Sequence, residues 1–492
     1  MPLILPGNVA TATAATGYDV ANSVRMNDDD TPYFNKTPSA GDRAKWTFSC
    51  WFKLGNIPGA SSTHGILVSG GASADQSTIR IDGQVIDWVE WDQSGSATQG
   101  RLITNRVFRD PTAWYHLVCT WDSDNGTEGS RMKMYINGVR ETSFSTGTYP
   151  TSGYDSAMNS NVLHEIGRQS WNSSQYFDGY FAEMAFCDGQ AYAASDFGEF
   201  NSDSPTIWQP KDISGLTFGS RGWYLDFEDS GDLDDDESGN GNDWTANNLA
   251  AADQAVDTPT NNFCTLNPLH SMAQSSSTNN TTTYSEGNCK LAPSDNNSMV
   301  HSSNTIAMPP NGKWYMELKF LSTNVSYGGI IDIDKVGNAS RANVDLSSSG
   351  TSGYNSVVYQ TNYIYAGTSS SYGDDIENND IMGIAFDADN GALYIALNGT
   401  WQNSGDPTSG ASKTNAIDIS GQSWYAGVTG WSICIGDGST SNGDTYEVSF
   451  GGCPGFAVSS AQADDNGYGI FEHDVPAGYY AICTKNLAEF GG

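Results

Sequence analysis

The sequence predicts an all-β protein built from two β-sandwich domains joined by an extended acidic linker. Three observations predict it. Apolar residues alternate with polar ones over short runs, the period-2 pattern of a strand with one face on a core. Turn pairs such as Asn-Gly separate these runs, in a chain with 54 glycines. Charged residues make up only 16 %, and long helix-forming stretches are scarce.

The strands follow in order. Trp46–Leu54 carries apolar residues at every even position, and Tyr115–Trp121 at the odd ones. Met132–Ile136 runs into Asn137-Gly138, the strongest short hairpin signal. Val162–Gly167 and Gly179–Phe186 complete a set whose spacing reads as a sandwich. Ala191–Phe200 is the one expected short helix. From 206 to 300 the chain turns polar: Asp and Asn crowd Asp229–Asp243, Ser, Thr and Asn fill 273–305, and one strand is expected at Gly222–Phe227. A second strand-rich unit then opens with Trp314–Phe320. Ile381–Phe386 and Leu393–Leu397 follow, each leading into an Asn-Gly turn, and Tyr446–Phe450 is a late strand. The ending Gly478–Leu487 is apolar enough to pack.

The charge excludes several classes. With 22 basic and 57 acidic residues the formal net charge is −35. Nucleic-acid binding needs a basic face, and docking on anionic lipid needs basic clusters, so both are excluded as partners. Met1–Gly7 has no basic start and its apolar run ends at Pro6, so it does not read as a secretory signal. No stretch approaches the ~20 apolar residues of a membrane helix. The 8 cysteines are scattered without a CxxC pair and read as free thiols. His116 and His164 fall in strands and read as structural.

Two family resemblances sharpen the domains. Trp46-Thr-Phe48-Ser-Cys-Trp51-Phe52-Lys, Trp114-Tyr-His-Leu117-Val-Cys-Thr-Trp121-Asp, Met134-Tyr-Ile-Asn-Gly138 and Ile166-Gly-Arg occur in the order seen in the laminin-G-like, concanavalin-type jelly roll, which residues 18–205 resemble. Gly312-Lys-Trp-Tyr-Met-Glu317-Leu, Asp380-Ile-Met-Gly383-Ile-Ala-Phe-Asp387, Leu393–Gly399 and Val448-Ser-Phe450-Gly resemble a SPRY-type sandwich over 301–456. Ser449 stands where that family has Asn in its closing turn. The implied organisation is an N-terminal arm over 1–17, the jelly roll, a connector over 206–300, the SPRY-like sandwich, and a packed tail over 457–492.

The connector (Tyr224-Leu-Asp-Phe227, Asp236–Thr245, Asp257–Pro268) and the ending Pro476–Leu487 resemble marine bacteriophage virion proteins. That resemblance implies a tail fibre, spike or head fibre at the virion surface, assembled in the host cytoplasm, with other virion subunits and a host-surface glycan or receptor as partners. It implies a homo-oligomer, with a trimer favoured. The alternatives are a capsid decoration or head-fibre protein that binds no glycan and, less favoured, a polysaccharide depolymerase.

Glycan recognition needs a flat ring under the apolar sugar face and acids or carboxamides for the hydroxyls. Trp88, Trp91 and Asp92, the pair Trp171 and Tyr176, and the set Tyr354, Tyr359, Tyr363 and Tyr365 meet that description. Core packing or subunit contact is the alternative for each. Jelly-roll glucan hydrolases place two carboxyls ~5 Å apart across the scissile bond. Here Glu90 and Asp92 are present, but Gly95 stands where the second catalytic carboxylate would be, so a non-enzymatic protein is expected. Calcium is the one cofactor expectation. Asp232, Asp234, Asp236, Asn240 and Asp243 are spaced as oxygen donors of a cation loop, although Glu237 stands at the glycine position. The other reading of that loop is a solvated acidic linker.

Overall fold

Each strand expected from period-2 alternation is present, and the described chain divides into two units, one ending at Thr260 and the other beginning at Asn261. The computed structural model describes residues 17–491 apart from 60–61, 170, 172–174, 270–281, 294–298, 324–325, 337–354, 367 and 438–443. The expected N-terminal arm therefore lies, but for Gly17, outside the described residues.

In the first unit the strands are β1 (Ser23–Met26), β2 (Tyr33–Lys36), β3 (Lys45–Leu54), β4 (Thr63–Ser69), β5 (Gln76–Asp82) and β6 (Val85–Asp92). They continue with β7 (Ala97–Thr104), β8 (Trp114–Asp122), β9 (Met132–Ile136), β10 (Val139–Arg140), β11 (Phe144–Thr148) and β12 (His164–Ile166). The last are β13 (Gly179–Asp188), β14 (Gly198–Phe200), β15 (Trp208–Pro210), β16 (Trp223–Leu225), β17 (Thr245–Asn247) and β18 (Gln254–Ala255). One sheet runs β10-β9-β8-β3-β13-β1-β18, with β16 also on β13; the other runs β11-β7-β6-β5-β4-β12-β2-β17. All their pairings are antiparallel, so each strand sends alternate side chains inward. The hairpin β9–β10 turns on Asn137 (φ 48°) and Gly138 (φ 78°), the left-handed pair that the Asn-Gly signal demands.

The inward side chains form one aromatic-rich core. Trp46 stacks on Trp121 at 6.1 Å and lies 5.5 Å from Trp88, and all three are fully buried. His116 and His164 are buried and neutral. His116 accepts a hydrogen bond from Trp208 Nε1 (2.9 Å) and lies 2.8 Å from Ser49 Oγ, while His164 Nε2 accepts from the Asn159 N–H (3.1 Å). Desolvation pushes their pKa values down to about 3 and about 4. All 8 cysteines are buried free thiols.

Two expectations are corrected here. Ala191–Phe200 holds only a 3-10 turn at Ala194–Asp196, which the Asp196 carboxylate closes by accepting the Ala193 N–H (2.8 Å) before β14 begins. The stretch 206–260 is not an extended linker. Its strands β16, β17 and β18 pair with β13, β2 and β1, and a buried ion pair, Lys53 Nζ to Asp257 Oδ2 at 2.6 Å, fastens its end to β3.

The second unit contains β19 (Thr282–Ser285), β20 (Lys290–Pro293), β21 (Met299–Ser302), β22 (Lys313–Phe320), β23 (Ser326–Asp332), β24 (Ser356–Gln360) and β25 (Tyr363–Tyr365). It continues with β26 (Ser369–Ser371), β27 (Ile381–Asp387), β28 (Ala392–Leu397), β29 (Thr400–Trp401), β30 (Ile417–Asp418), β31 (Trp431–Asp437) and β32 (Tyr446–Ser449). One sheet runs β19-β20-β32-β22-β27-β28-β29, with β30 on β28; the other runs β21-β31-β23-β24-β25-β26. The expected packed tail ends in a helix, α1 (Thr484–Phe490), whose Asn486 is fully buried and donates to Asp464 Oδ2 (2.7 Å) and the Ala481 carbonyl (3.0 Å).

Candidate functional site

The meander β4–β7 was the part of the first domain least visible in the sequence, and its outer face carries an organised polar network. Ile79, Ile81, Ile86, Trp88 and Leu102 point into the core, so strand alternation sends Arg80, Asp87 and Arg101 to the outer face. Arg80 and Asp87 are cross-strand partners. Asp87 is fully buried under two guanidiniums: Oδ2 accepts from Arg80 Nε (3.1 Å), Arg80 Nη2 (2.8 Å) and Arg101 Nη2 (2.8 Å), and Oδ1 from Arg101 Nε (2.9 Å). Arg80 Nη1 also reaches Gln169 Oε1 at 3.3 Å.

Further across the sheet, β12 and β2 contribute Glu165 and Tyr33. Gly167 follows β12 at φ 79°, where a Cβ would lie 2.4 Å from Met26 Cε, and this turn carries Arg168 away from the core. The Arg168 guanidinium lies 3.5 Å from the Tyr33 ring centroid, a cation–π contact, while its Nε donates to Glu165 Oε1 at 3.0 Å. Tyr176 pairs with Arg168 through a bridge and sits 6.5 Å from Tyr33. Two buried oxygens on this face, Glu165 Oε2 and Thr78 Oγ1, have no hydrogen-bond partner among the described residues. They share one register row, either side of Val68. A buried carboxylate oxygen without a donor is costly, and a ligand hydroxyl is a donor of the right kind.

The expected site residues divide. Trp88 is not on this face. It lies three positions from Trp91, so a period-2 strand sends the two to opposite sides, and Trp88 is locked in the core. Trp91 faces outward, half-buried, with its Nε1 donating to Gln93 Oε1 (3.1 Å). Asp92 caps its own turn, accepting from Ser94 Oγ (2.8 Å) and the Gly95 N–H (2.9 Å), which hold its carboxyl below the usual range. Glu90 points inward, accepting from Ser156 Oγ (2.9 Å), and burial pushes it up to about 7, whereas Asp92, two positions on along the same side of the strand, is spent on the turn at the strand end. Trp171 and Tyr176 are half-buried. Trp91 and Tyr176 are not brought together: four strand spacings, roughly 19 Å, separate β6 from β2.

In the second unit Tyr354 lies outside the described residues. Tyr359 is a core residue whose hydroxyl donates to the Asp374 carbonyl, whereas Tyr363 is 43 % exposed beside Tyr365.

The acidic loop does not gather oxygens around a cation. Asp236 is buried and accepts from the N–H groups of Tyr224 (2.8 Å), Ser238 (2.9 Å) and Asn242 (2.7 Å). Asp234 Oδ2 accepts from the Ala246 N–H (2.7 Å), and Asp243 Oδ1 from the Asp236 N–H (3.3 Å). The Asn240 amide donates to the carbonyls of Gly219 (2.8 Å) and Gly222 (3.0 Å), and Asp232 is exposed. Of the donors expected for calcium, Asp234, Asp236, Asn240 and Asp243 are therefore engaged with the backbone, and Asp232 is left at the surface. Among the described residues no group of three or more His, Cys, Asp or Glu is placed to hold a metal.

Tyr33, Arg80, Asp87, Arg101, Glu165 and Arg168 escaped the reading of the sequence. The signal that could have found Arg80 and Asp87 is parity: they alternate with Ile79, Ile81, Ile86 and Trp88 on two short runs flanking Gly83.

Residues 28–194 match a laminin G family model described as the concanavalin A-like lectin/glucanases superfamily. No curated protein sequence matches the chain. Among solved structures, the chain is similar to a putative carbohydrate binding protein from Bacteroides ovatus, at 13 % identity, over 47 % of this chain and 59 % of that one, with a TM-score of 0.31. It is similar to domain 4 of AbnA, an extracellular arabinanase of Geobacillus stearothermophilus solved with arabinotriose, at 15 % identity, over 38 % and 89 %, TM-score 0.26. It is also similar to the SPRY domain of human HERC1, at 9 % identity, over 32 % and 81 %, TM-score 0.21. At these scores the structural likenesses carry no functional argument.

Proposed function

We propose that this protein is a non-enzymatic glycan-binding subunit of a virion surface structure, a phage fibre or spike that recognises its host through the first domain. The observation that carries glycan binding is the Tyr33–Arg168–Glu165 group, where a guanidinium-backed aromatic ring lies beside a carboxylate oxygen that lacks a donor. A sugar offers an apolar face to the ring and hydroxyl donors to Glu165 Oε2. The match of residues 28–194 to a lectin/glucanase superfamily supports the same reading. The virion role rests on the connector and ending sequences, and a homotrimer is the assembly proposed with it.

A glycan array with the intact chain tests recognition, and mass spectrometry of purified particles tests location. The expected result is selective glycan signal that Arg168→Ala abolishes, from a chain present in the particles. A chain found in particles but silent on the array makes it a decoration or head-fibre protein. Reducing-sugar release from host polysaccharide makes it a depolymerase. Absence from particles removes the virion role.

A further inference from the structure

In the second unit a cleft of about 370 Å³ opens where the chain's tail meets the hairpin β28–β29. Trp314, Met316 and Leu318 point into the core, so strand alternation sends Tyr315 and Glu317 of β22 to the other face of the sheet. On that face Glu317, Gly383, Ala396 and Trp401 are successive cross-strand partners, one row across β22, β27, β28 and β29. The middle of the row is small, and a Cβ on Gly383 would lie 2.9 Å from the Tyr315 hydroxyl, so Tyr315 leans across it. The tail covers the Glu317 end of the row, with Phe471 edge-on to Tyr315 at 5.1 Å. Beside it the cleft remains, lined by Tyr315, Ala396, Trp401 and His473, with Thr400 and Asp474 exposed at its rim.

Glu317 pins the tail at this edge. Its fully buried carboxylate accepts the N–H groups of Glu472 (2.8 Å) and His473 (2.9 Å) and the Tyr315 hydroxyl (3.0 Å). The His473 ring thereby lies over the Asn398-Gly399 turn, its Nδ1 3.0 Å from where a Cβ on Gly399 would stand. Asn398 is engaged as well: its amide donates to Asp380 Oδ1 (2.7 Å) and its side-chain oxygen accepts the Ile381 N–H (3.0 Å). The walls are therefore held in place before a ligand arrives, which lowers the ordering cost of binding. Three other groups stay uncommitted. Among the described residues the Trp401 indole N–H, the Thr400 hydroxyl and the Asp474 carboxylate have no hydrogen-bond partner.

Those groups select a chemistry. Clefts that hold small ligands span roughly 300–1,000 Å³, so this one takes a ligand of about one ring. The Asp474 carboxylate repels an anion. A cation would satisfy Asp474 but offers the Trp401 N–H no acceptor. A neutral polyhydroxy ring meets every group: its apolar face packs on the half-buried Trp401 ring, one hydroxyl donates to Asp474, and another accepts from Thr400 or the indole.

We propose that this cleft binds one neutral pyranose unit of a glycan, stacked on Trp401 and hydrogen-bonded to Asp474. The site is separate from the Tyr33–Arg168–Glu165 group and does not rest on it.

Saturation-transfer NMR on the full chain tests the cleft, with methyl glucoside, methyl galactoside, methyl mannoside, glucuronate and galacturonate as probes. The chain carries Arg168→Ala, which disables the outer face of the first domain, so binding read in this background belongs elsewhere. The expected result is saturable binding of at least one neutral glycoside with a dissociation constant on the order of 1 mM. The uronate of a glucoside or galactoside that binds should bind more weakly than the neutral sugar. Adding Trp401→Ala should weaken binding at least ~10-fold, and Trp401→Phe, which keeps a ring, should weaken it less. Asp474→Asn should weaken the neutral sugar and narrow its advantage over the uronate. Far-ultraviolet circular dichroism checks that each variant is folded. No binding by any neutral glycoside, equal binding by the folded Trp401→Ala variant, or tighter binding of the uronate overturns the proposal. Loss of glycan-array signal in Arg168→Ala alone bears only on the outer face.

Discussion

The Arg168 guanidinium lies 3.5 Å from the centroid of the Tyr33 ring, and its Nε donates to Glu165 Oε1 at 3.0 Å. One side chain thus holds both the ring and the acid before any ligand arrives, which reduces the ordering cost of binding. Tyr33→Ala and Arg168→Ala should each weaken glycan binding by at least ~10-fold, because each removes one side of the stack. Surface plasmon resonance against the glycan found on the array reads this effect. Unchanged affinity in both variants would remove the outer face as the binding site.

Asp87 is fully buried while its partners Arg80 and Arg101 keep 18 % and 32 % exposure. Removing the shared carboxylate leaves two guanidiniums facing each other, but solvent screens part of that repulsion. Asp87→Ala should therefore destabilise the first unit by about 2 kcal/mol, measured by urea unfolding. Adding Arg80→Met to Asp87→Ala should recover part of the loss, and a double variant no more stable than the single one would refute the ion-pair account.

Trp88 and Trp91 provide a contrast that separates packing from recognition. Trp88→Ala empties a site against Trp46 and Trp121 and should cost about 4 kcal/mol. Trp91→Ala, on the half-buried outer surface, should cost less than about 1 kcal/mol. Thermal unfolding of the two variants decides the matter, and equal losses would contradict the opposite facing of the two rings.

Glu183 sits at a bulge of β13 with φ 49°, accepting the Tyr224 hydroxyl at 2.8 Å and within 3.5 Å of the Tyr18 hydroxyl. Burial is the main reason its pKa rises from 4.5 to about 8; hydrogen bonds from Tyr224 and Tyr18 oppose the rise, and Asp226 and Glu228 add to it. The folded state therefore keeps a proton that the unfolded chain loses above about pH 4.5. The sign follows: this group's contribution is full below about pH 4.5, falls as pH rises, and levels off above about 8. Urea midpoints at pH 5 and pH 8.5 should differ more in the wild type than in Glu183→Gln. An identical difference in both would assign the pH dependence elsewhere.

The acidic loop around Asp236 should behave as a backbone clamp. Millimolar calcium or a chelator should leave the melting temperature unchanged. Asp236→Asn, which swaps an acceptor oxygen for an N–H donor facing backbone N–H groups, should cost about 2 kcal/mol. A calcium-dependent rise in melting temperature would restore the cation reading of Asp232, Asp234 and Asp236.

The strands that the sequence revealed are those with long apolar alternation: Trp46–Leu54, Tyr115–Trp121, Trp314–Phe320 and Leu393–Leu397 all became strands within a residue or two of their expected bounds. The strands it hid are short or polar. Gln76–Asp82 offers few apolar residues, and Ser369–Ser371 none. The helix Thr484–Phe490 was hidden because a helix of seven residues, about two turns, owes its stability to packing of Leu487 and Asn486, not to propensity.

By itself the sequence determined the all-β class, the two strand-rich regions, and the left-handed Asn137-Gly138 turn, because period-2 burial and Asn-Gly backbone freedom are local properties. Only the tertiary structure decided which polar residues meet. Tyr33, Arg168 and Glu165 converge through strand order, and Trp401 and His473 line one cleft because Glu317 pins the tail beside β29. It also decided that Asp232–Asp243 is a clamp: the spacing shows where the acids stand, but only the fold shows that the backbone N–H groups of Tyr224 and Ala246 had already claimed their oxygens.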